Sequence, residues 1–231
     1  MGATFAEAFG LLLVLDPMVA AIAWLSLRVS LAAAALGCAI GIPLGALLAI
    51  ARFRGRDAAI VVLNALMGLP AVVVGLVIYL ALSRSGPLGH LGLLFTPTAM
   101  IMAQTMLVTP LVAALTRQIV EDADGELGEQ LRSMGLSRWA RARTLVFDVR
   151  FSLAVAMLAA FGRAIAEVGA VLVVGGNIAG HTRTMTTAIS LETQKGDLPL
   201  ALALGIVLLA LVIAVNAVAA ALRSHAARRY G

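Results

Sequence analysis

The sequence is poor in charged residues, which occupy only 13% of its 231 positions, about half the share found in soluble domains. Hydrophobic residues make up 61% of the chain, and its mean hydropathy is +1.02. A compact fold of this length has too little interior to bury so much apolar surface. Lipid must therefore cover part of it, which excludes an ordinary soluble domain.

Residue types that carry chemistry are also scarce. The single cysteine, Cys38, excludes an internal disulfide, and His90, His181 and His225 stand far apart with no second ligand at metal spacing. No Gly-x-x-x-x-Gly-Lys-[Ser/Thr] phosphate loop occurs. We therefore expect no catalytic residue, no metal site and no cofactor bound by this chain, and any ATP hydrolysis must occur on another polypeptide.

Aromatic residues make up only 5% of the chain, and the basic residues, almost all arginine, form short clusters between long apolar runs. A nucleic-acid surface would interleave basic and aromatic side chains. The clusters fit membrane topology better, so we expect no nucleic-acid partner despite the net charge of +5.

Long uncharged stretches predict the membrane-spanning helices. Four of them reach the roughly 20 residues needed to cross the hydrocarbon core. They are residues 29–51, 58–83, 85–116 and 198–222. Residues 17–27 extend the first helix backwards, and a fifth span over 150–176 contains Arg163 and Glu167, which share a helix face and can pair. Residues 3–15 fit either an interfacial amphipathic helix or a short extra span.

Basic residues lie mainly on one side of these five spans. The positive-inside rule makes that side cytoplasmic, so the chain is expected to be a multi-pass membrane protein with its N-terminus outside and its C-terminus inside. The twelve arginines on the cytoplasmic side are Arg52, Arg54, Arg56, Arg117, Arg132, Arg138, Arg141, Arg143, Arg150, Arg223, Arg228 and Arg229. The last three also attract anionic membrane lipid.

Small residues and prolines inside the spans indicate how the helices pack. Gly37, Gly41 and Gly45 recur every four residues, which favours a close helix contact. Pro70, like two other prolines in the spans, removes a helix hydrogen bond. Such a break fits either a fixed kink or a gating hinge.

The longest hydrophilic stretch, residues 117–150, is graded in charge. Its acidic residues come first and most of its basic residues last, with Gly135 between them. This order suits the dipoles of two short helices, and a glycine suits the turn that joins them. The stretch predicts a folded helix-turn-helix in the cytoplasm.

The same stretch carries a family motif. Glu129-Gln130-Leu131-Arg132-Ser133-Met134-Gly135, followed by Leu145-Val146-Phe147, resembles the loop by which permease subunits of ABC importers dock on their ATPase. Glu129 and Gly135 match the anchor positions, whereas Gln130 and Leu131 replace two alanines and Asp148 replaces a proline. The resemblance implies that a short helix over 136–144 lies in a groove of the ATPase. The coupling residues would be Glu129, Gly135, Leu136, Ser137, Arg138 and Trp139.

Further segments resemble the tungstate-uptake permeases, and the molybdate and sulfate permeases are similar in outline. These segments are residues 68–76, 83–89, 162–178, 182–189 and 192–197. The resemblance implies an all-α polytopic fold of the ABC-importer permease (MetI-like) type. One permease domain would cover residues 1–231 and contain the coupling loop 117–150.

The same resemblance implies partners. They are two copies of an ATPase subunit, which uses ATP and Mg, and an extracytoplasmic oxyanion-binding protein. Five spans are also few for a complete pathway, so we expect a homodimer with the pore on its two-fold axis.

Two groups of residues are candidates for the substrate path or gate. Arg163 offers positive charge to a tetrahedral dianion, or it simply neutralises Glu167. The external segment 175–197 supplies hydroxyl and amide groups that can bind an oxyanion without a full opposing charge, or that only cap helices and face solvent. The candidates in that segment are Asn177, Thr184, Thr186 and Thr187.

Energetics favour ATP-driven import of such a dianion. Its inward movement opposes the membrane potential by about 4.6 kcal/mol per 100 mV, so a passive channel would drive it outward. Import of molybdate or sulfate is the alternative substrate assignment. An ion-coupled carrier and a membrane scaffold are the alternative classes of protein.

Overall fold

The computed structural model describes residues 2–14 and 16–230, and the side chains of all of these except residues 2, 3, 223 and 225–230. The described chain contains helices and turns but no strand, which confirms the all-α class. Its α-helices are α1 (Gly2–Leu13), α2 (Pro17–Ile50), α3 (Arg56–Met67), α4 (Ala71–Leu82), α5 (Pro97–Ser133), α6 (Arg138–Asp148), α7 (Arg150–Ile165), α8 (Gly169–Gly175), α9 (Met185–Lys195) and α10 (Leu198–Tyr230).

Three helices are individually long and apolar enough to cross a membrane: α2, α5 and the part of α10 over Leu198–Leu222. The bent pairs α3 with α4 and α6 with α7 raise this number to five if each pair is one span. The second pair qualifies by length and composition, although the three arginines of α6 suit a polar surface better than lipid. The backward extension of the first span is confirmed, because α2 begins at Pro17.

Helix α1 has 12 residues and is therefore about 18 Å long. This is well short of a hydrocarbon core about 30 Å thick, which favours the interfacial helix over an extra span. Residue 15, the last of the expected 3–15 segment, lies outside the described residues. The tail residues Arg223, His225, Arg228 and Arg229 lie outside the described side chains.

The span expected over 58–83 is a bent pair of helices, and the break expected at Pro70 is present. Helices α3 and α4 meet at an angle of 96°, and the break falls at Gly68-Leu69-Pro70. Proline cannot donate a backbone hydrogen bond, and its ring disfavours helical geometry at the preceding Leu69. The break is therefore local in origin.

The spans expected at 85–116 and 150–176 also have different bounds. Residues 84–96 form turns with one short 3₁₀ segment, because Gly92 has a φ of 60° and the segment is rich in glycine and proline. Helix α5 begins only at Pro97, in the first helical turn where a missing N–H is tolerated, and it runs on to Ser133. The later span is interrupted between Ile165 of α7 and Gly169 of α8.

The packing of Cα atoms divides the chain into two compact units. The first unit comprises the chain up to Ala33, Pro70–Gln104 and Gly162–Val215. The second unit comprises Ala34–Leu69, Thr105–Phe161 and the chain from Asn216 onward.

The second unit is built on a close contact between α2 and α5. A Cβ atom added to Gly41 would lie 2.8 Å from Val112 Cβ and 2.9 Å from Thr109 O, and one added to Gly45 would lie 2.7 Å from Thr116 Cβ. Such distances leave no room for a side chain, so the contact expected from the glycine spacing is present. This contact fixes which residues of α2 lie opposite which residues of α5.

The first unit has a similar contact between α4 and α8. A Cβ atom on Gly75 would lie 2.8 Å from Ala170 Cα. Val74 and Ile78 of α4 are buried, as is Val174 of α8. The short helix α8 is thus held by packing despite its seven residues.

We predict that Gly45→Ala destabilises the protein by about 1–3 kcal/mol, because the methyl group would overlap backbone and side-chain atoms of α5. The matched control is Gly205→Ala in α10, where a Cβ atom meets nothing within 4 Å and a helix interior favours alanine. The midpoint of thermal unfolding in detergent measures both effects. Equal midpoints for the two variants would contradict the packing account.

Candidate functional site

The backbone N–H groups of the turn that precedes α6 donate hydrogen bonds to carbonyl groups at the end of α5. Gly135 has a φ of 73°, and its N–H donates to Arg132 O at 2.9 Å. The N–H of Leu136 donates to Leu131 O at 3.2 Å. These are the two hydrogen bonds typical of a helix that ends at a glycine in the left-handed conformation. The turn expected at Gly135 is therefore confirmed.

The helices on either side of the turn differ from expectation. The acidic part of the stretch is not a separate short helix but the continuation of α5. Helix α6 covers Arg138–Asp148 rather than 136–144, because Ser137 Oγ accepts a hydrogen bond from Ala140 N at 3.3 Å and so fixes the start. No proline stands at position 148 to stop the helix earlier.

Helix α6 is fixed to the rest of the second unit by one apolar and one ionic contact. Leu145 is fully buried in a cluster with Val120 and Ala123 of α5 and residues of α2. Arg141, only 8% exposed, places its Nε 3.1 Å from Oδ1 of Asp124. Helix α6 therefore contacts α5 through both an apolar cluster and an ion pair.

A second ionic contact joins α3 to the same helices. The carboxylate of Glu121 accepts hydrogen bonds from both Arg56 and Arg117. Arg56 also donates from Nε to Leu48 O of α2 at 2.8 Å. The start of α3 is thereby tied to α2 and α5.

The outward face of the turn and α6 presents the motif residues. Glu129, Gly135, Ser137 and Arg138 are exposed, and Leu136 is half-buried. Trp139 is 76% exposed and Met134 74%. An aromatic and a thioether side chain left in the open beside basic residues are typical of a protein-binding surface.

In the first unit the break between α7 and α8 is organised by Glu167, which is 5% exposed. Its Oε2 lies 2.5 Å from Nη1 of Arg163, and its Oε1 accepts from Ala170 N at 3.3 Å. Its backbone oxygen accepts from Thr186 Oγ1 at 2.8 Å. The pairing expected from sequence is present, and both carboxylate oxygens are engaged, whereas the Arg163 side chain is 44% exposed.

Of the threonines in segment 175–197, Thr182, Thr184, Thr186 and Thr187 are buried and Thr193 is exposed. The segment contains helix α9, and Thr184 is its N-cap residue, in a reciprocal capping arrangement with Thr187. Thr184 Oγ1 lies 3.1 Å from Thr187 Oγ1 and 3.3 Å from Thr186 Oγ1. These hydroxyl groups satisfy one another, so an anion could reach them only after α9 moves.

Asn177 lies just after α8 with a φ of 50°, a left-handed geometry that asparagine tolerates. Its Nδ2 donates to Thr187 O at 3.3 Å, while its buried Oδ1 has no partner among the described residues. Asn177 thus joins the end of α8 to α9, next to the capping threonines.

Sequence reasoning missed three contacts that hold this unit together. Ser26 Oγ of α2 accepts from Met185 N at 2.8 Å, and Gln104 Nε2 of α5 donates to Ala164 O at 2.9 Å. Glu192, 4% exposed, lies near both Arg183 and Lys195. Glu192 is the one carboxylate of α9, and this was the available signal for the last of these contacts. Within the described residues, no group of three or more His, Cys, Asp or Glu is placed to hold a metal ion.

Comparison with known proteins identifies the chain's relatives. Residues 41–230 match the family described as binding-protein-dependent transport system inner membrane component. The chain is 44% identical to the tungstate uptake system permease protein TupB of Peptoclostridium acidaminophilum, over 93% of this chain and 94% of that protein. It is also 44% identical to a probable anion ABC transporter permease protein of Haloferax volcanii, over 89% and 91%.

The molybdenum transport system permease protein ModB of Escherichia coli is a more distant relative, at 28% identity over 75% of this chain and 80% of that protein. The family match covers both the turn before α6 and the polar break between α7 and α8. The chain therefore belongs to the family of inner-membrane components of binding-protein-dependent transport systems.

Proposed function

We propose that this chain is the permease subunit of an ATP-driven importer that carries tungstate across the inner membrane. The observation that carries this proposal is helix α6, whose exposed Trp139 face is free for a partner while its other face is locked to α5 by Leu145 and Arg141. A helix mounted in this way suits the transfer of movement from a soluble subunit to a membrane-spanning helix. The choice of tungstate rests on two relatives at 44% identity, one named for tungstate and one for an anion.

The proposed complex contains several partners. Two copies of an ATPase subunit would receive α6 and use ATP and Mg, which this chain does not itself bind. An extracytoplasmic binding protein would select the oxyanion. A second copy of the chain would complete the pathway, with the N-terminus outside, the C-terminus in the cytoplasm, and lipid around the apolar surface.

The proposed mechanism is alternating access. Closure of the ATPase dimer would move α6, and Asp124 and the Leu145 cluster would pass that movement to α5. Helices α2, α5, α7 and α10 each contain residues of both units. In the first unit, the break at Glu167 would act as the hinge that lets α8 and α9 shift and open the path.

The alternatives differ in measurable ways. A molybdate or sulfate importer would use the same machinery with another binding protein. An ion-coupled carrier or a membrane scaffold would need no ATPase on α6.

The first test measures tungsten and molybdenum in cells that lack this gene and in the same cells with the gene restored. Both oxyanions are supplied at equal low concentration. We expect the deletion to abolish accumulation of tungsten alone, and restoration to recover it. Loss of molybdenum uptake would widen the substrate range, whereas unchanged levels of both metals would contradict the proposal.

The second test concerns docking on the ATPase. We expect Trp139→Ala to reduce co-purification of the ATPase at least about tenfold, because exposed tryptophans at interfaces commonly contribute 2 kcal/mol or more. Trp24→Ala is the matched control, since Trp24 is the only other tryptophan and is also exposed, but lies in the first unit. ATPase retained by the Trp139 variant would exclude the docking role of this face.

The third test concerns the hinge. Arg163→Glu and Glu167→Arg should each lower stability, because each leaves a charge without its partner at the break. The double reversal should recover only part of the loss, since arginine at position 167 cannot accept the hydrogen bond from Ala170 N. The midpoint of thermal unfolding in detergent measures the stability of each single variant and of the double reversal.

Uptake separates a structural pair from a direct role of Arg163 in the anion path. A double reversal that folds and transports indicates a structural pair. One that folds without transporting indicates that the anion needs positive charge at position 163. Single variants as stable as the unaltered chain would show that the pair does not hold the break.

A further inference from the structure

The first unit contains a cavity of about 360 Å³ whose mainly apolar wall carries two arginines. It lies between the first turns of α2 and the turn before α9. Its polar lining comes from Arg28 on α2 and from His181 and Arg183 on the turn. No carboxylate lines it.

The positive charge in this region is only partly neutralised. Arg28 is exposed and has no ion pair among the described residues. Arg183 Nη1 lies 3.5 Å from Oε1 of Glu192, but the same oxygen lies 3.1 Å from Lys195 Nζ. One carboxylate therefore faces two cations, and Arg28 adds a third. The buried Nε of Arg183 also has no hydrogen-bond partner in the described chain, so this N–H group can still donate a hydrogen bond.

The walls of the cavity are fixed relative to each other. The N–H groups of His181, Thr182 and Arg183 all donate to Ile178 O, at 3.0 to 3.1 Å. Thr182 Oγ1 accepts from Ile178 N at 3.0 Å and donates to Gly175 O at 2.5 Å. The bond from Met185 N to Ser26 Oγ then ties the start of α9 to α2 beside the cavity. The backbone that carries His181 and Arg183 is thus held in place before any ligand arrives, which lowers the cost of binding.

A neighbouring cavity of the same unit has the opposite character. Glu7, Asp16 and Asp197 line it, and it would repel an anion. The positive cavity is therefore a local feature and not part of a uniformly basic surface.

We propose that the cavity lined by Arg28, His181 and Arg183 binds a tetrahedral oxyanion. Guanidinium groups present paired N–H donors that match the oxygen spacing of such anions. A water occupies about 30 Å³ of liquid, so the volume holds a tetrahedral anion together with several waters. Two sources share this chemistry: the free oxyanion that the chain is proposed to import, and the phosphate of an anionic lipid headgroup. The first source rests on the proposed function, whereas binding itself does not require transport.

The test uses the full-length chain in nanodiscs of neutral phosphatidylcholine and measures equilibrium binding of radiolabelled tungstate. We expect saturable binding that chloride at equal ionic strength does not displace. Arg28→Gln should weaken it about tenfold to a hundredfold, the usual loss for a charge-assisted hydrogen bond. Arg28 is the residue of choice because it is exposed and forms no ion pair in the described chain, so its replacement leaves the fold intact.

Two further variants keep the result interpretable. Arg84→Gln removes the same charge from an exposed position of the same unit that does not line the cavity, and it should bind tungstate as the unaltered chain does. Arg183→Lys keeps the charge near Glu192 but loses the planar fork, so it should bind more weakly while unfolding at a similar temperature.

A second arm distinguishes the two sources. Nanodiscs that contain phosphatidylglycerol are compared with neutral ones, and native mass spectrometry counts the retained lipid. Weakened tungstate binding in the Arg28 variant supports a site for the free anion. Retention of phosphatidylglycerol by the unaltered chain and not by the Arg28 variant supports a headgroup site.

If neither tungstate nor phosphatidylglycerol binds, or if Arg28→Gln changes neither, the proposed site does not exist. Tungsten uptake by cells would in that case still stand or fall on its own measurement. The failure of the site and the failure of the importer assignment are therefore distinguishable.

Discussion

The constraint on which this structure depends is the need of every backbone polar group in hydrocarbon for a partner within the protein. Uninterrupted helices meet it automatically, and α2 and α5 do so over most of their length. The break between α7 and α8 meets it with side chains. Gln104 donates to Ala164 O, Thr186 donates to the backbone oxygen of Glu167, and the Glu167 carboxylate accepts from Ala170 N.

These bonds explain why polar residues occur in so apolar a chain. The end of α8 is satisfied in the same way, since Thr182 donates to Gly175 O and Phe95 N donates to Val174 O. The movement proposed for this break must exchange these hydrogen bonds for others.

The second unit solves a different problem, the attachment of a polar helix to apolar ones. Helix α6 buries Leu145 against α2 and α5 and pairs Arg141 with Asp124, so a helix with three arginines and one tryptophan is still fixed to apolar helices. The same design leaves Trp139 exposed. Rigidity on one face and exposure on the other are what a coupling element needs.

The long uncharged stretches determined the class of this protein, because apolar runs of about 20 residues cross a bilayer as helices. Sequence also placed the turn at Gly135, where a left-handed geometry favours glycine, and the pair Arg163 with Glu167, whose spacing of four is local. Sequence indicated the break at Pro70 but not its angle of 96°, and the late start of α5 was missed, because charge counting finds apolar stretches but not their geometry. The contact of Ser26 with Met185 and the basic cavity beside it join residues that are distant in sequence. The contact of Arg183 with Glu192 depends on the turn before α9. Only the tertiary structure decided these, since side-chain partners across separate helices depend on how the helices pack.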